Sequence, residues 1–512
     1  MELSTQTTII ASERLRPLWA MIIVFLSNFC ILVLELVAGR MMAPIVGVSL
    51  YTWTSIIGVI LAGISLGNYL GGKIADRWAS RKTLASLFFL SALGSVSILT
   101  AIELVNPLRE LEVPIVINVL LIFMAVFLLP ATILGTISPV VVKLTLDNLE
   151  RTGDIVGKIY AAGAVGSIAG TFATGFFLIS AFGTRLIVWG VAGGLMLIGA
   201  LIGLSAGGRR LRYGIALLLL GFLGLSIYVW QQGWLNSACL KETNYFCIKV
   251  RPDKDDANLL VLTLDRLVHS YVDPNDPTNL RYGYEKIYAD VLKTVLPGKL
   301  PVSSLFIGGG GYTFPHYIEA LRPGSRIDVI EIDPGVTDTA YTALGLPHET
   351  TIRSVNEDAR HFISRLPAAE HYDLIIGDAF NDYSVPYHLT TLEFNNLVAA
   401  HLTEQGFYMV NIIDGRQGDF LRAYVHTLRQ VFAHVYVSAI GLEPGSASRQ
   451  TYVIVASQHS LAELMAASPL KEKFLSTAEL KTYLQAGNVI LLTDDYVPVD
   501  NLLAPVFADS GF

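Results

Sequence analysis

Seven long apolar segments fill the first half of this 512-residue chain, and they constrain its fold more than any other feature. They lie at about 18–38, 52–72, 83–102, 114–135, 155–181, 186–206 and 213–233. Each has roughly the 20 mostly apolar residues that a helix needs to cross a lipid bilayer. No small-residue cleavage site follows the first segment, so we do not expect a removable signal peptide. The sequence therefore predicts an α-helical membrane bundle of about seven spans, with the lipid bilayer as a partner.

The second half has the composition of a globular protein. Over the whole chain 52% of the residues are hydrophobic and 15% are charged, but most of the Asp, Glu and His follow residue 240. The net charge of −7 is mild and provides no basic surface for nucleic acid, which we do not expect as a partner. We therefore predict three parts: a multi-span transmembrane domain at 1–236, a small β-hairpin subdomain with a first helix at 237–300, and a Rossmann-like domain at 301–512.

The basic residues of the short loops predict an orientation. One set of loops holds twelve of them, and the alternate set holds three. The twelve are Arg14, Arg16, Lys73, Arg77, Arg81, Lys82, Lys143, Arg151, Lys158, Arg209, Arg210 and Arg212, and the three are Arg40, Arg109 and Arg185. Because basic loops stay in the cytoplasm, the N-terminus is expected inside. An odd number of spans then places the globular part outside the cell membrane, and one span more or fewer would reverse this.

Two shorter features concern the membrane half and its end. Small residues recur in "AAGAVGSIAGTFATG", from Ala161 to Gly175 in the fifth segment, and predict that helix backbones approach each other closely there. Cys239 and Cys247 stand close together after the last segment. Outside the cytoplasm this pair could close a small disulfide loop, and inside it would stay reduced.

Strands and helices alternate through the globular half. "YFCIKV" and "NLLVLTLD" predict a β-hairpin. Five predicted strands follow at 304–309, 326–333, 351–355, 373–378 and 406–413, separated by predicted helices, and two more are predicted at "VYVSAI" and "TYVIVAS". This alternation is typical of an α/β fold with a doubly wound, largely parallel sheet, of the Rossmann-like and AdoMet-methyltransferase-like kind. Ligands in such sheets bind at the carboxyl ends of the strands.

Glycines and acids stand at those strand ends. Gly308–Gly311 end the first predicted strand, and Glu331 ends the next, where a carboxylate commonly accepts both ribose hydroxyls. Asp358 follows the third strand, and Asp378 ends the fourth, with Asp382 four residues on. A glycine-rich loop alone is often a plain tight turn. Acids at three successive strand ends favour a nucleoside site instead.

Several motifs resemble the spermidine synthase (polyamine aminopropyltransferase) family. "LFIGGGG", "VIEIDPGV", "NEDARHFI" and "YDLIIGDAFNDYSVP" occur in that family's order and spacing, within a resemblance that covers about 240–460. The layout, with several spans before such a domain, resembles the membrane-bound members. The resemblance implies transfer of an aminopropyl group from decarboxylated S-adenosylmethionine, a co-substrate, to a diamine such as putrescine. The products would be spermidine and methylthioadenosine, with no permanently bound cofactor, and we also expect a homodimer.

The resemblance also implies roles for individual residues. Asp378 would be the general base, because a diamine nitrogen with a pKa near ~10 must lose a proton before it attacks. Glu331 would bind the ribose. Residues expected on the nucleoside side are His269, Gly308, Gly310, Glu331, Asp358, Ala359 and Pro386. Residues expected on the amine side are Tyr284, Gly311, Tyr312, Asp378 and Asp382.

The amine side departs from the family pattern. The glycine loop normally continues into Asp-Gly, but Gly311 and Tyr312 stand there. His269 replaces a glutamine and Tyr284 a histidine. Two alternatives therefore stay open: a binding or transport module for polyamines or nucleosides without turnover, and another adenosyl-sulfonium-dependent transferase with a changed acceptor. The histidines are scattered, and no spacing predicts a metal site.

Overall fold

The computed structural model of the chain describes residues 14–109, 113–146, 152–380, 385–415, 417–439, 449–487 and 489–509. The chain divides into two compact units, with the boundary after Asn244. Composition alone suggested a boundary at 236. The residues between the two positions belong with the helical unit because Glu242 accepts a hydrogen bond from the backbone N–H of Thr184, at 2.7 Å.

Within the described part of the first unit, seven helices are long and apolar enough to span a membrane. They are Pro17–Val46, Leu50–Trp78, Arg81–Leu104, Val116–Thr145, Thr152–Phe182, Thr184–Ala206 and Arg209–Gln231. The seven predicted segments are thus confirmed as helices. The fourth contains a π-helical turn at Met124–Leu128 just before Pro130, whose ring nitrogen cannot donate a helical hydrogen bond.

Small residues let these helices pack closely, as the sequence predicted for the fifth span. At Gly170 an added Cβ would lie 2.6 Å from the backbone oxygen of Phe29 on the first long helix, and at Gly166 it would meet the backbone oxygen of Phe25. No side chain fits between backbones at that separation. The contact therefore requires glycine at both positions.

A short strand and an antiparallel sheet come next along the chain. β1 (Lys241–Glu242) ends the first unit. In the second unit β2 (Cys247–Pro252), β3 (Leu260–Leu264) and β4 (Leu267–Val272) pair antiparallel in that order. β2 and β3 are the two predicted strands of the hairpin. Their apolar face packs on the helix Pro334–Ala343 through a small core that includes Leu262 and Val336.

A seven-stranded sheet forms the centre of the second unit. Its strands are β5 (Ser303–Ile307), β6 (Arg326–Ile330), β7 (Ile352–Val355), β8 (Tyr372–Gly377), β9 (Leu402–Asp414), β10 (His434–Ala439) and β11 (Gln450–Ser457). The order across the sheet is β10-β11-β9-β8-β5-β6-β7. β5 to β9 are parallel to one another, as predicted, whereas β11 runs antiparallel to both of its neighbours.

Helices connect and flank these strands. They are Gly283–Val295, Thr313–Leu321, Pro334–Ala343, Ala359–Ser364, Leu392–Ala400, Asp419–Leu428, Ala462–Ala466, Thr477–Gln485 and Val499–Asp509. Because β5, β6, β8 and β9 are parallel, their carboxyl ends share one edge of the sheet. The antiparallel β11 begins at that same edge, opposite the end of β9. Residues from five strands therefore converge there.

Candidate active site

The glycine loop after β5 is pressed against the end of β8. Gly308 has φ +96°, and a Cβ added to it would lie 2.5 Å from the backbone oxygen of Asp378. Gly310 also has a positive φ, of +49°. Residues with a side chain rarely adopt this backbone conformation, and at Gly308 the neighbouring strand also leaves no room for a Cβ. The loop thus needs glycine to bring its backbone to the cavity edge.

Glu331 supports this loop from the end of β6. Its carboxylate accepts hydrogen bonds from the backbone N–H of Gly309, at 2.8 Å, and of Asp333, at 2.9 Å. Burial raises the pKa of Glu331, and these hydrogen bonds offset part of that effect. A carboxylate has about four lone-pair sites, so Glu331 can still accept a hydrogen bond from a ligand.

Asp358 begins the helix Ala359–Ser364 and also holds a histidine. Its Oδ1 accepts from the backbone N–H of His361 at 2.9 Å, and its Oδ2 lies 2.8 Å from Nε2 of His388. Burial raises the pKa of Asp358, but these hydrogen bonds outweigh burial, so the pKa lies below its ordinary value. Asp358 is therefore ionised at neutral pH.

These groups line a first cavity, which we call the nucleoside cavity. Its wall includes all seven residues predicted on the nucleoside side: His269, Gly308, Gly310, Glu331, Asp358, Ala359 and Pro386. Tyr245 and Phe246 add aromatic surface on the other side. The structure thus brings together side chains that are more than 100 residues apart in the sequence.

A second cavity, here the acceptor cavity, adjoins the first. Three tyrosines of the segment around the helix Gly283–Val295 line it: Tyr282, Tyr284 and Tyr288. His269, Gly308, Gly310, Asp378 and Phe380 line both cavities. The two cavities thus share a wall, and the group on that wall can contact molecules on both sides.

Asp378 is the acid on this shared wall. Nδ2 of Asn411 donates to its Oδ1 at 2.9 Å, and the Tyr284 hydroxyl also hydrogen-bonds to it. Burial raises the pKa of Asp378 to about 6, although both hydrogen bonds favour the ionised form. Neutral pH lies only about one unit above this pKa. The carboxylate is therefore ionised but can readily take up a proton, which suits a general base.

Comparisons with known proteins identify relatives of the globular half. The chain is 32% identical over 186 residues to a polyamine aminopropyltransferase from Vibrio vulnificus, covering 34% of this chain and 57% of that protein. It is 30% identical over 136 residues to a probable polyamine aminopropyl transferase from Bifidobacterium longum, covering 26% and 29%. These matches support a relation to the spermidine synthase family. The chain spans less than two thirds of the length of either relative.

A longer match extends beyond the globular half. Polyamine aminopropyltransferase 2 from Ralstonia nicotianae is 24% identical over 430 residues, which cover 76% of this chain and 77% of that protein. The globular unit is only about half of the chain, so the alignment reaches into the helical unit. Weaker matches include an eEF1A lysine and N-terminal methyltransferase from Danio rerio, 24% identical over 148 residues, which cover 27% of this chain and 21% of that protein.

Comparison with solved structures also gives matches. A probable spermidine synthase from Corynebacterium glutamicum is 18% identical with a TM-score of 0.44, covering 50% of this chain and 95% of that one. A search with models of protein families finds no match.

Two residues expected on the amine side lie away from both cavities. Gly311 and Tyr312 line neither the nucleoside cavity nor the acceptor cavity. The backbone N–H of Gly311 donates to Ser270 Oγ at 2.8 Å, and the Tyr312 side chain turns into the core, with its hydroxyl 3.0 Å from Thr337 Oγ1. The chain turns away because Tyr312, at φ +58°, precedes the first turn of the next helix. Asp382 lies outside the described residues.

Sequence reasoning missed two charged residues that line the acceptor cavity. Glu285 is only 3% exposed, and its Oε2 has no hydrogen-bond partner among the described atoms. Burial, followed by the negative charge of Asp378, raises the pKa of Glu285 to about 8. Arg449 lines the cavity from the start of β11. Adjacency to Tyr284 could have identified Glu285, whereas no local signal marks Arg449.

Among the described residues, no group of three or more His, Cys, Asp or Glu side chains is placed to hold a metal ion. Nε2 of His269 is buried without a hydrogen-bond partner in the described part of the chain. Burial and the charge of Arg449 lower the pKa of His269 to about 4, so this histidine is neutral at pH 7.

Proposed function

We propose that the chain is a transferase that moves an aminopropyl group from decarboxylated S-adenosylmethionine to an amine and releases methylthioadenosine. The main support is the position of Asp378, whose carboxylate stands on the wall shared by the two cavities. The names of the relatives point the same way.

The nucleoside cavity has groups suited to an adenosyl moiety. Glu331 can accept hydrogen bonds from the two ribose hydroxyls, since its carboxylate is already oriented by the N–H groups of Gly309 and Asp333. Asp358 and Ala359 lie where an adenine could be contacted, and Pro386 provides an apolar wall. The glycine loop lets the backbone approach the sulfonium end of the donor.

The acceptor cavity has groups suited to activating an amine. Asp378 removes a proton from the ammonium, and the free nitrogen then attacks the carbon next to the sulfonium. The new N–C bond forms as the C–S bond breaks, and the electron pair of the C–S bond goes to the sulfur and neutralises its positive charge. Asn411 and Tyr284 hold the Asp378 carboxylate in place through their hydrogen bonds. Positioning of both reactants contributes much of the rate.

We further propose that the protein is a multi-pass protein of the cell membrane with its globular unit on the extracytoplasmic side. The distribution of basic loop residues supports this orientation. Cys239 and Cys247 are both disulfide-bonded, which is typical of an oxidising compartment. The orientation is tested in intact cells by reducing Cys239 and Cys247 and adding a membrane-impermeant thiol reagent. We expect both cysteines to react, because only a cytoplasmic pair would be protected from the reagent.

The reaction is tested with the full-length protein in detergent, supplied with decarboxylated S-adenosylmethionine and putrescine. We expect release of methylthioadenosine, and a loss of roughly 10²- to 10⁴-fold in kcat for Asp378→Asn. Glu404→Gln, which changes an exposed carboxylate on β9, serves as the control. Nucleoside binding without release from any amine would favour a binding module. Methyl transfer from S-adenosylmethionine would favour another sulfonium-dependent transferase.

A further inference from the structure

Buried polar atoms without a hydrogen-bond partner are concentrated around the acceptor cavity. In the described part of the globular unit ten buried side-chain nitrogen or oxygen atoms lack a partner, and five of them belong to residues that line this cavity. The five are His269 Nε2, Glu285 Oε2, Tyr288 Oη, Thr313 Oγ1 and Asn411 Oδ1. Such atoms are few in native proteins, because burial removes their hydrogen bonds to water. Their concentration here indicates a surface that the polar groups of a ligand complete.

Two of these residues, Glu285 and Tyr288, have no part in the transfer step described above. They are three residues apart on the helix Gly283–Val295, so their side chains are neighbours on one face of it. Glu285 is 3% exposed and Tyr288 is fully buried. One carboxyl oxygen of Glu285 accepts from the backbone N–H of Tyr282, which holds the group in place. The other oxygen, Oε2, and the Tyr288 hydroxyl both lack partners among the described residues.

Both side chains lie close to Asp378. The Tyr284 hydroxyl hydrogen-bonds to Asp378, and the Tyr284 ring packs edge-to-face on the Tyr288 ring with 5.5 Å between their centroids. After burial, the negative charge of Asp378 is the largest influence that raises the pKa values of Glu285 and Tyr288. Nδ2 of Asn411 donates to Asp378, so the unpartnered Oδ1 of Asn411 belongs to the same place. Oxygens of three residues are thus available near the carboxylate that takes the proton.

An ammonium group matches these oxygens. A primary ammonium has three N–H donors and no acceptor, and each of the three oxygens can accept one hydrogen bond. We propose that Glu285 and Tyr288 bind the ammonium of the acceptor beside Asp378, each through its unpartnered oxygen. This inference rests on the proposed function, in which Asp378 removes a proton from that ammonium. Glu285 and Tyr288 then orient the nitrogen for attack on the donor.

Binding of a cation at this place should release the proton of Glu285. In the free protein Glu285 is mostly protonated at pH 7.5, because its pKa is about 8. A positive charge nearby favours the carboxylate and lowers this pKa. The acceptor binds as an ammonium and keeps its own protons at this stage, so the proton that reaches the solvent comes from Glu285. Asp378, with a pKa of about 6, is already ionised at pH 7.5 and releases almost none.

Other ionisable groups surround Glu285. The cavity wall carries Tyr282, Tyr284, Tyr288, His269, Asp378 and Arg449. Lys286 follows Glu285 on the helix and lowers its pKa less than burial and Asp378 raise it. The segments packed against the helix carry Tyr452, Glu463, Lys471, Glu472 and Lys473, of which Lys473 pairs with Asp290 at 2.7 Å. All of these groups stay in a Glu285→Gln variant, so comparison with the wild type assigns the released proton.

Calorimetry on the full-length protein in detergent, saturated with methylthioadenosine, tests the inference with putrescine as the probe. Titrations at pH 7.5 in phosphate and in Tris, which differ in their heats of ionisation, give the number of protons released. We expect roughly 0.5–0.8 proton per putrescine bound, close to the protonated fraction of Glu285 at this pH. Glu285→Gln should release almost none, and the exposed control Glu404→Gln should match the wild type.

Affinity provides a second measurement. Glu285→Gln should weaken putrescine binding roughly 10- to 100-fold and Tyr288→Phe roughly 3- to 10-fold, with methylthioadenosine binding unchanged in both. Ser438→Ala is the control for Tyr288→Phe, because Ser438 Oγ is also buried without a described partner but lines neither cavity. It should leave putrescine affinity unchanged. Neither hydroxyl deletion should lower the melting temperature without amine, since each removes an unpartnered buried group.

Three results would overturn the inference. They are wild-type affinity for putrescine in either Glu285→Gln or Tyr288→Phe, proton release that Glu285→Gln leaves intact, and no putrescine binding to the saturated wild type. Failure of the proposed function looks different. If putrescine binds with proton release that depends on Glu285, but the decarboxylated donor never yields methylthioadenosine, the function fails and the inference stands. If methylthioadenosine is released while both variants keep the wild-type KM for putrescine, the function stands and the inference fails.

Discussion

Replacing Glu285 by glutamine should stabilise the protein at alkaline pH. The side chain is 3% exposed, and it reaches back to the backbone N–H of Tyr282 at the start of its helix. Its other oxygen has no partner among the described atoms. An ionised carboxylate is disfavoured in such a place, so the folded protein retains a proton that the unfolded chain releases. Glutamine has the same shape and no proton to retain.

The magnitude follows from the difference between the two pKa values. Glu285 has a pKa of about 8 in the folded protein, against an ordinary value of 4.5. Wild-type stability is therefore lost as the pH rises from about 4.5 to about 8, by up to about 5 kcal/mol at ~1.4 kcal/mol per unit. The glutamine amide leaves a buried N–H group unpaired, which costs roughly 1–3 kcal/mol. We expect a net gain of about 2–3 kcal/mol at pH 8.

Thermal unfolding of full-length protein in detergent, measured from pH 4.5 to pH 8.5, tests this. The gain corresponds to a rise of roughly 5–10 °C in the melting temperature of Glu285→Gln at pH 8. It should shrink steadily toward pH 4.5, where both proteins hold a neutral side chain. Glu404→Gln should show no such dependence. A Glu285→Gln melting temperature at pH 8 that equals or falls below the wild-type value would refute the argument.

Three further outcomes test the site. Turnover should fall about tenfold per pH unit below pH 6, because protonation of Asp378, whose pKa is about 6, removes the base; a flat kcat/KM profile down to pH 5 would contradict this. Glu331→Gln should weaken methylthioadenosine binding roughly 10- to 100-fold in calorimetry, whereas Asp378→Asn should bind it nearly as the wild type does. Gly308→Ala should abolish methylthioadenosine binding, because the added Cβ would collide with the backbone of Asp378. Gly324→Ala is the control: Gly324 also has a positive φ, of +85°, but the nearest atom to an added Cβ is 3.5 Å away. This variant should lose only about 1–2 kcal/mol of unfolding free energy.

The elements of the fold were readable from the sequence because their signals are local. Seven segments are long and apolar enough to cross a bilayer, and all seven are helices. The strands from Ser303 to Asp414 alternate with helices as the hydrophobic pattern indicated. The reversal of β11 was not readable, since strand direction depends on the connection and on the neighbouring strands rather than on the residues of the strand.

The nucleoside side of the site was also predictable for a topological reason. Residues that follow parallel strands meet at one edge of the sheet, so Glu331, Asp358 and Asp378 had to lie near the glycine loop. The direction of an individual side chain was not predictable in this way. Tyr312 follows the loop directly, yet its left-handed backbone turns it into the core.

The sequence by itself thus determined the division into seven long apolar helices and a largely parallel α/β domain, and it located the acids that end the strands. Only the tertiary structure placed Glu285 and Arg449 in one cavity, although one lies on a helix and the other lies just before an antiparallel strand more than 150 residues later. It also decided the charge state of Glu285, whose pKa depends on how deeply the side chain is buried and on the nearby Asp378. Periodicity and spacing report neighbours along the chain, whereas charge balance in a cavity depends on groups that only folding brings together.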